Sequence, residues 1–303
     1  MKNIVLIGLG AVGLTYAVKF NRADKLGNKY NFKVALNKER LEKYTQNPPI
    51  FNGIEQKFDY VLPEDKFDAD LIMIATKING LQTALENIKN YVTDKTLIIS
   101  LINGISSEDI IKTKFPNAKV LKSYFIGHSA VRVDNDVTQD GVGEIVLEYD
   151  SDIEEIFKDF DINYSIPDDI DYSMWLKFCL NVSTNTISAI LGMNFGQLKR
   201  NKPCIEFVKK VINEVRQIAI KRGIKNTQNF ERDALYFLSK MCDDGLTSTY
   251  QDILAKRKTE IDIFSGEIIK LGKVYNIPTP YNQVLYDLIK IKEEDNEYSI
   301  HSC

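Results

Sequence analysis

The chain has 303 residues, 44% of them hydrophobic, which is enough for two domains with a sizeable core and excludes global disorder. A net charge of -3 argues against a broad basic surface for nucleic acid, and no apolar run approaches the ~20 residues of a membrane span. The four cysteines, Cys179, Cys204, Cys242 and Cys303, form no C-x-x-C pair and read as free thiols of a reducing compartment. With no cleavage signal after the first apolar run, a cytoplasmic protein is expected. Only two histidines occur, His128 and His301, so a His-rich zinc site is implausible, no metal is expected, and any acid–base chemistry falls to Lys, Tyr, Asp or Glu unless His128 serves.

In chain order, Ile4-Val5-Leu6-Ile7 reads as a strand buried on both faces. Gly8-Leu9-Gly10-Ala11-Val12-Gly13 follows at the spacing G-x-G-x-x-G, and a helix continues to Phe20. Gly8 suits a tight turn, Gly10 lets a pyrophosphate approach the backbone, and Gly13 lets the helix pack close to the strand. The free N–H groups at the helix start would meet the phosphates. A bare glycine turn is the alternative; the flanking strand and helix favour a dinucleotide site. A polar loop, 21–31, leads to a second strand, Phe32 to Leu36. Where an acid would select NAD, this chain has Asn37-Lys38-Glu39-Arg40. Lys38 and Arg40 are both able to pair with a 2′-phosphate, which favours NADP over a merely solvated helix start.

A short third strand spans 59–62, and Asp70 to Ala75 is a buried strand that ends at Thr76-Lys77. Lys77 is a candidate cofactor contact, with an ordinary surface lysine as the alternative. A helix over 81–91 and a strand over 96–102 lead to Asn103-Gly104. The Asn103 amide is placed to meet a nicotinamide, a ribose or a substrate, unless it only makes a turn. Ser106 with Asp109 resembles a capping box. Further strands at 119–125 and 145–147, flanking a polar hairpin, are expected to close the sheet. The alternation of strand and helix marks a doubly wound α/β domain over 1–167. Helical patterns at 170–191, 203–222, 229–242, 259–275 and 281–292 mark an all-helical second domain over 168–292, and the polar residues 293–303 read as a frayed tail. The fold class expected is therefore α/β, a Rossmann-type dinucleotide-binding domain followed by an all-helical domain.

One helical stretch carries a polar stripe. Lys177, Asn181, Asn185 and Ser188 share a face at 3.6 residues per turn, while Trp175, Leu176, Phe178, Leu180, Val182 and Ile187 fill the rest. Buried amides and amines need hydrogen-bond partners, and a polar ligand would supply them; a solvent-facing stripe is the alternative. A third cluster pairs Ser248, in Thr247-Ser248-Thr249, with Glu260, at an expected helix start. There the plain readings are a cap and a helix-start acid.

These motifs together resemble the ketopantoate reductase (2-dehydropantoate 2-reductase) family over nearly the whole chain. The specific part is the W-x-K-x-x-x-N-x-x-x-N helix of Trp175, Lys177, Asn181 and Asn185 with the Thr259-Glu260-Ile261-Asp262 segment. The resemblance implies NADPH-dependent reduction of a small 2-oxoacid, 2-dehydropantoate, to pantoate in pantothenate and coenzyme A synthesis. It implies Lys177 as general acid, Glu260 as the acid that binds the substrate hydroxyl, and Ser248, Asn181 and Asn185 as substrate-holding residues. Lys77 matches a cofactor-side position and Asn103 one near the nicotinamide. The chemistry agrees, since a protonated amine stabilises charge developing on a ketone oxygen and then gives up its proton. Another 2-oxoacid as substrate, or a non-enzymatic NADPH sensor on the same fold, is the alternative. A homodimer is plausible; a membrane or nucleic-acid partner is not expected.

Overall fold

The computed structural model describes residues 1–127, 129–141 and 143–301 and divides into two units, Met1–Ile170 and Asp171–Cys303, a boundary three residues beyond the expected one. His128 and Cys303 lie outside the described residues.

In the first unit six strands are parallel: β1 (Lys2–Ile7), β2 (Tyr30–Ala35), β3 (Tyr60–Val61), β4 (Leu71–Ile74), β5 (Leu97–Ser100) and β6 (Lys119–Leu121), in the order β3-β2-β1-β4-β5-β6. Four helices lie between them: α1 (Ala11–Phe20), α2 (Lys38–Gln46), α3 (Leu81–Ile88) and α4 (Ser107–Lys114). The side-chain alternation of a strand explains the double winding. Ile4 and Leu6 of β1, with Leu71, Met73, Leu97 and Ile99, pack into a core with Leu14, Ala17 and Phe20 of α1. Val5, Ile7, Ile72, Ile74 and Ile98 point the other way, into a second core with Leu81, Leu85 and Ile88 of α3 and Ile111 of α4. Each such side chain contributes roughly 1.5–3 kcal/mol of burial, so the near-continuous apolar runs are what a sheet covered on both faces requires. The strand order reverses between β1 and β4, and the crevice beyond the carboxyl ends at such a point is where ligands bind in open α/β sheets.

The later strands do not close this sheet. Ser123–Ile126 pairs antiparallel with Glu144–Leu147, which pairs with Tyr164–Ser165, in a separate three-stranded sheet. The cause is a side chain. Ser123 Oγ accepts from the Ser100 N–H at 3.1 Å and donates to the Ser100 carbonyl at 2.9 Å, replacing the backbone groups that would extend the ladder. The polar hairpin forms, from Ser129–Val133 and Asp136–Asp140, and joins Ile50–Phe51 and Ile54–Glu55 in a four-stranded sheet. The loop over 21–31 contains a kinked 3-10 segment, Ala23–Lys29. A helix not foreseen, α5 (Ser151–Asp159), is capped by Asp150, whose carboxylate accepts from the N–H groups of Asp152 and Ile153. Ser106 makes no side-chain cap bond.

The second unit is helical throughout its described residues: α6 (Ile170–Leu180), a π turn (Asn181–Asn185), α7 (Thr186–Leu191), α8 (Phe195–Arg200), α9 (Lys202–Lys221), α10 (Phe230–Lys240), α11 (Ser248–Leu254), α12 (Ser265–Tyr275) and α13 (Pro280–His301), with 3-10 turns at Thr227–Asn229 and Ile261–Ile263. Two expectations are corrected. The helix placed over 259–275 starts only at Ser265, after the separate turn Ile261–Ile263. The last helix does not stop at 292 but continues to His301. Its start is held by Glu214 of α9, whose carboxylate accepts from the backbone N–H groups of Tyr281 and Asn282 and from the Asn282 amide.

At the carboxyl end of β5, Glu108 is buried beside Ser107 and Ser100, and its Oε1 has no hydrogen-bond partner among the described residues. Burial pushes its carboxyl up to about 7. Between the ordinary value of 4.5 and about 7 the folded chain keeps a proton that the unfolded chain loses, so stability falls as pH rises through that window. Glu108→Gln is expected to flatten this dependence and to stabilise the protein at pH 8 by on the order of 3 kcal/mol, read from thermal melts at pH 5 and pH 8.

Candidate active site

The first unit supplies a glycine loop between β1 and α1. Gly8 has φ +104°, and a Cβ there would lie 2.7 Å from the Ala75 carbonyl. A Cβ on Gly13 would lie 1.7 Å from the Gly8 carbonyl oxygen, so helix and strand backbones meet directly. Gly10 differs. Its φ is -75°, which any residue adopts, and the nearest atom to a Cβ there is the Ala75 oxygen at 4.0 Å. The fold does not require a glycine at position 10; a ligand approaching that backbone would. Gly10 has no side chain to cap α1, and no acidic residue lies in its first turn, so the positive end of the helix is open to an anion. The Leu9 side chain is in the core, and those of Ala11 and Val12 pack against it, which leaves the backbone of these three residues to meet a ligand.

Ile7, Ile74 and Ser100 are register partners across β1, β4 and β5, and Gly10, Lys77 and Asn103 each stand three residues further on. Lys77 is exposed; Asn103 is half-buried before Gly104, whose φ is +104°. After β2, Asn37 caps α2, accepting from the Arg40 N–H at 3.0 Å. The two cations expected there differ in circumstance. Lys38 is paired with Glu64 at 2.9 Å, whereas the exposed Arg40 guanidinium reaches the Tyr44 hydroxyl at 3.5 Å. Arg132, which sequence reasoning missed, donates to the Leu9 carbonyl at 2.5 Å and to the Asp134 carbonyl at 2.8 Å. It comes from the hairpin, 123 residues away, so no local spacing announces it.

The second unit carries the polar stripe. Lys177 is half-buried in the last turn of α6, between buried Trp175, Leu176 and Phe178. One turn on, Ser183 and Thr184 bond the carbonyls of Cys179 and Leu180, both at 2.7 Å, within the π turn. Such side-chain bonds compete with the regular helix ladder, and single π turns recur at functional sites. The Asn185 amide donates to Asn181 Oδ1 at 3.2 Å and to Ser248 Oγ at 3.4 Å. Residues from two separate sequence clusters thus meet in one polar run. Thr247, not Ser248, caps α11, which leaves Ser248 exposed at the first helical position. Ser188 is not part of the stripe: it is fully buried, donates to the Met193 carbonyl at 2.6 Å and bonds the Thr247 hydroxyl at 3.1 Å. The extra residue in the π turn rotates everything after it by about 100°, which carries Ser188 off the face.

Glu260 is half-buried immediately before the Ile261–Ile263 turn rather than in an α-helical first turn. Ile261 packs with Ala189 and Ile190 of α7, Tyr250 and Ile253 of α11 and Ile289 of α13, which ties the Glu260 segment to the helices that carry Asn185 and Ser248. A cation, two amides and a hydroxyl suit a carboxylate or carbonyl ligand; the carboxylate of Glu260 suits a hydroxyl. No cluster of metal-ligating side chains and no helix long and apolar enough to cross a membrane occurs among the described residues.

Comparison with known proteins gives two family matches: "Ketopantoate reductase PanE/ApbA" over residues 4–151 and "Ketopantoate reductase PanE/ApbA C terminal" over residues 169–293. The 2-dehydropantoate 2-reductase of Streptococcus pyogenes serotype M3 is 23% identical over 305 residues, covering 96% of this chain and 97% of its own. Among solved structures, D-mandelate dehydrogenase with NADH and anilino(oxo)acetate is 25% identical with a TM-score of 0.81, over 97% of this chain and 99% of its own. A PanE/ApbA family ketopantoate reductase from Ralstonia eutropha JMP134 is 22% identical, with the same TM-score and coverage.

The glycines separate fold from ligand experimentally. Gly13→Ala is expected to cost roughly 3 kcal/mol or more in thermal or urea unfolding, because backbone must move. Gly10→Ala is expected to stay within about 1 kcal/mol of the parent while weakening binding of a nicotinamide dinucleotide in a fluorescence titration.

Proposed function

The chain belongs to the ketopantoate reductase family, a family of oxidoreductases, and from that premise we propose that it reduces 2-dehydropantoate to pantoate with NADPH, as a cytoplasmic step of pantothenate and coenzyme A synthesis. The observation that carries this reading is the polar run Asn181–Asn185–Ser248, one helical turn beyond Lys177. Asn181, Asn185 and Ser248 bind and orient the substrate through its oxygen atoms, and Glu260 accepts from its hydroxyl. When bound, the dinucleotide supplies the hydride that reaches the ketone carbon. Lys177 aims its ammonium at the ketone oxygen, stabilises the charge that develops there and transfers its proton to that oxygen. The C=O bond becomes C–O–H, and solvent reprotonates the lysine.

The glycine loop, with its open Gly10 position and uncapped α1 terminus, suits the diphosphate. Lys77 and Asn103 would hold the nicotinamide side. At the adenosine end Arg40 is the better reader of a 2′-phosphate, because Lys38 already has Glu64 as its partner. The D-mandelate dehydrogenase neighbour makes a different 2-oxoacid the second reading.

NADPH absorbance followed with 2-dehydropantoate, with other 2-oxoacids alongside, tests the assignment; rapid turnover of another oxoacid and none of 2-dehydropantoate would overturn the substrate. Lys177→Ala is expected to lower kcat by roughly 10²–10⁴-fold, and a near-normal rate would remove it from the mechanism. Arg40→Ala is expected to raise KM for NADPH by on the order of 10-fold and leave KM for NADH unchanged, with a smaller effect from Lys38→Ala.

A further inference from the structure

The segment that carries Glu260 is bracketed by bonds from the last helix. Thr259 donates twice to Glu293 Oε1, from its backbone N–H and its hydroxyl, both at 2.7 Å. The same hydroxyl accepts from the Ile261 N–H at 3.3 Å. The N–H groups of the residues on either side of Glu260, Thr259 and Ile261, are thus tied to one carboxylate, the second through the Thr259 hydroxyl. Beyond Glu260, Asp262 accepts from the Tyr286 hydroxyl at 2.8 Å and pairs with Lys290 at 3.0 Å, and Lys290 also reaches Glu293 Oε2 at 3.2 Å. Thr259 and Ile261 are buried, and the Glu293 side chain is 12% exposed, so these bonds are shielded from water. A buried backbone N–H left without its acceptor would force the segment to rearrange.

We propose that Glu293 is a positioning residue: through Thr259 it fixes the backbone of Glu260 and so sets how tightly the substrate is held. The proposal rests on the reading of Glu260 as the substrate-hydroxyl contact. It places the geometry of the substrate half-site under the control of α13, in the stretch whose composition suggests only a polar tail.

The test is steady-state kinetics of the full chain with 2-dehydropantoate and NADPH. Glu293→Ala is expected to raise KM for 2-dehydropantoate by roughly 10-fold, with a smaller change in kcat and none in KM for NADPH. Glu293→Gln keeps an oxygen acceptor for Thr259 and is expected to restore most of the loss. Thr259→Val, which removes the hydroxyl at nearly constant volume, is expected to repeat the Glu293→Ala effect and serves if that variant does not fold. A position that acts through Glu260 adds nothing once Glu260 is gone, so Glu293→Ala in a Glu260→Ala background is expected to leave KM where Glu260→Ala alone puts it. Additive losses in that double variant, or an unchanged KM in a folded Glu293→Ala or Thr259→Val protein, would overturn the proposal. If Glu260→Ala itself leaves KM unchanged, the reading of Glu260 fails instead, and the two failures are told apart by that single variant.

Discussion

The first unit depends on one backbone-to-backbone approach. Helix α1 comes so close to the end of β1 that no side-chain carbon fits between Gly13 and the Gly8 carbonyl. That approach packs Leu14, Ala17 and Phe20 onto the Ile4 and Leu6 face of the sheet. It also sets the first turn of α1 at the carboxyl edge of β1, where the strand order reverses. A larger residue at position 13 would push the helix off the sheet, and the core and the anion-facing helix end would be lost together. The packing demand falls on Gly8 and Gly13 and leaves Gly10 free of it, so the glycines of one six-residue pattern do not all answer to the fold.

The second unit solves a different problem, that of holding polar side chains on an apolar helix. Unpaired amides there would be costly. The π turn lets Ser183 and Thr184 satisfy the loosened carbonyls, while Asn181 and Asn185 bond each other and Ser248. The amides are therefore held in place by the protein's own groups, and a polar ligand that met them would leave little ordering to be done on binding.

Much of this was legible in the sequence because it depends on local spacing. The glycine motif, the doubly buried strands and the all-helical second unit follow from period-2 and period-3.6 patterns. What escaped depends on contacts that spacing does not encode. The break between β6 and Ser123–Ile126 comes from a serine hydroxyl standing in for backbone groups, and no hydrophobicity pattern registers that substitution. Ser188 was misplaced because the stripe assumed an unbroken 3.6-residue period across Asn181–Asn185. The helix beyond 292 was missed because its polar composition resembles a tail, although Glu293 has a partner 34 residues away. Arg132 reaches the glycine loop from a hairpin 123 residues away in the chain, a contact that no local spacing encodes.

The capping of α13 by Glu214 makes that helix a ruler. One end is pinned at Tyr281 and Asn282, and Glu293 is read off eleven residues further along from Asn282, about 16 Å at 1.5 Å per residue. One residue added or removed between those points would turn Glu293 by about 100° and shift it along the axis, away from Thr259. Chain length is therefore quantised in that interval, whereas beyond Glu293, where the C-terminal family match also ends, the same addition would leave both fastenings in register.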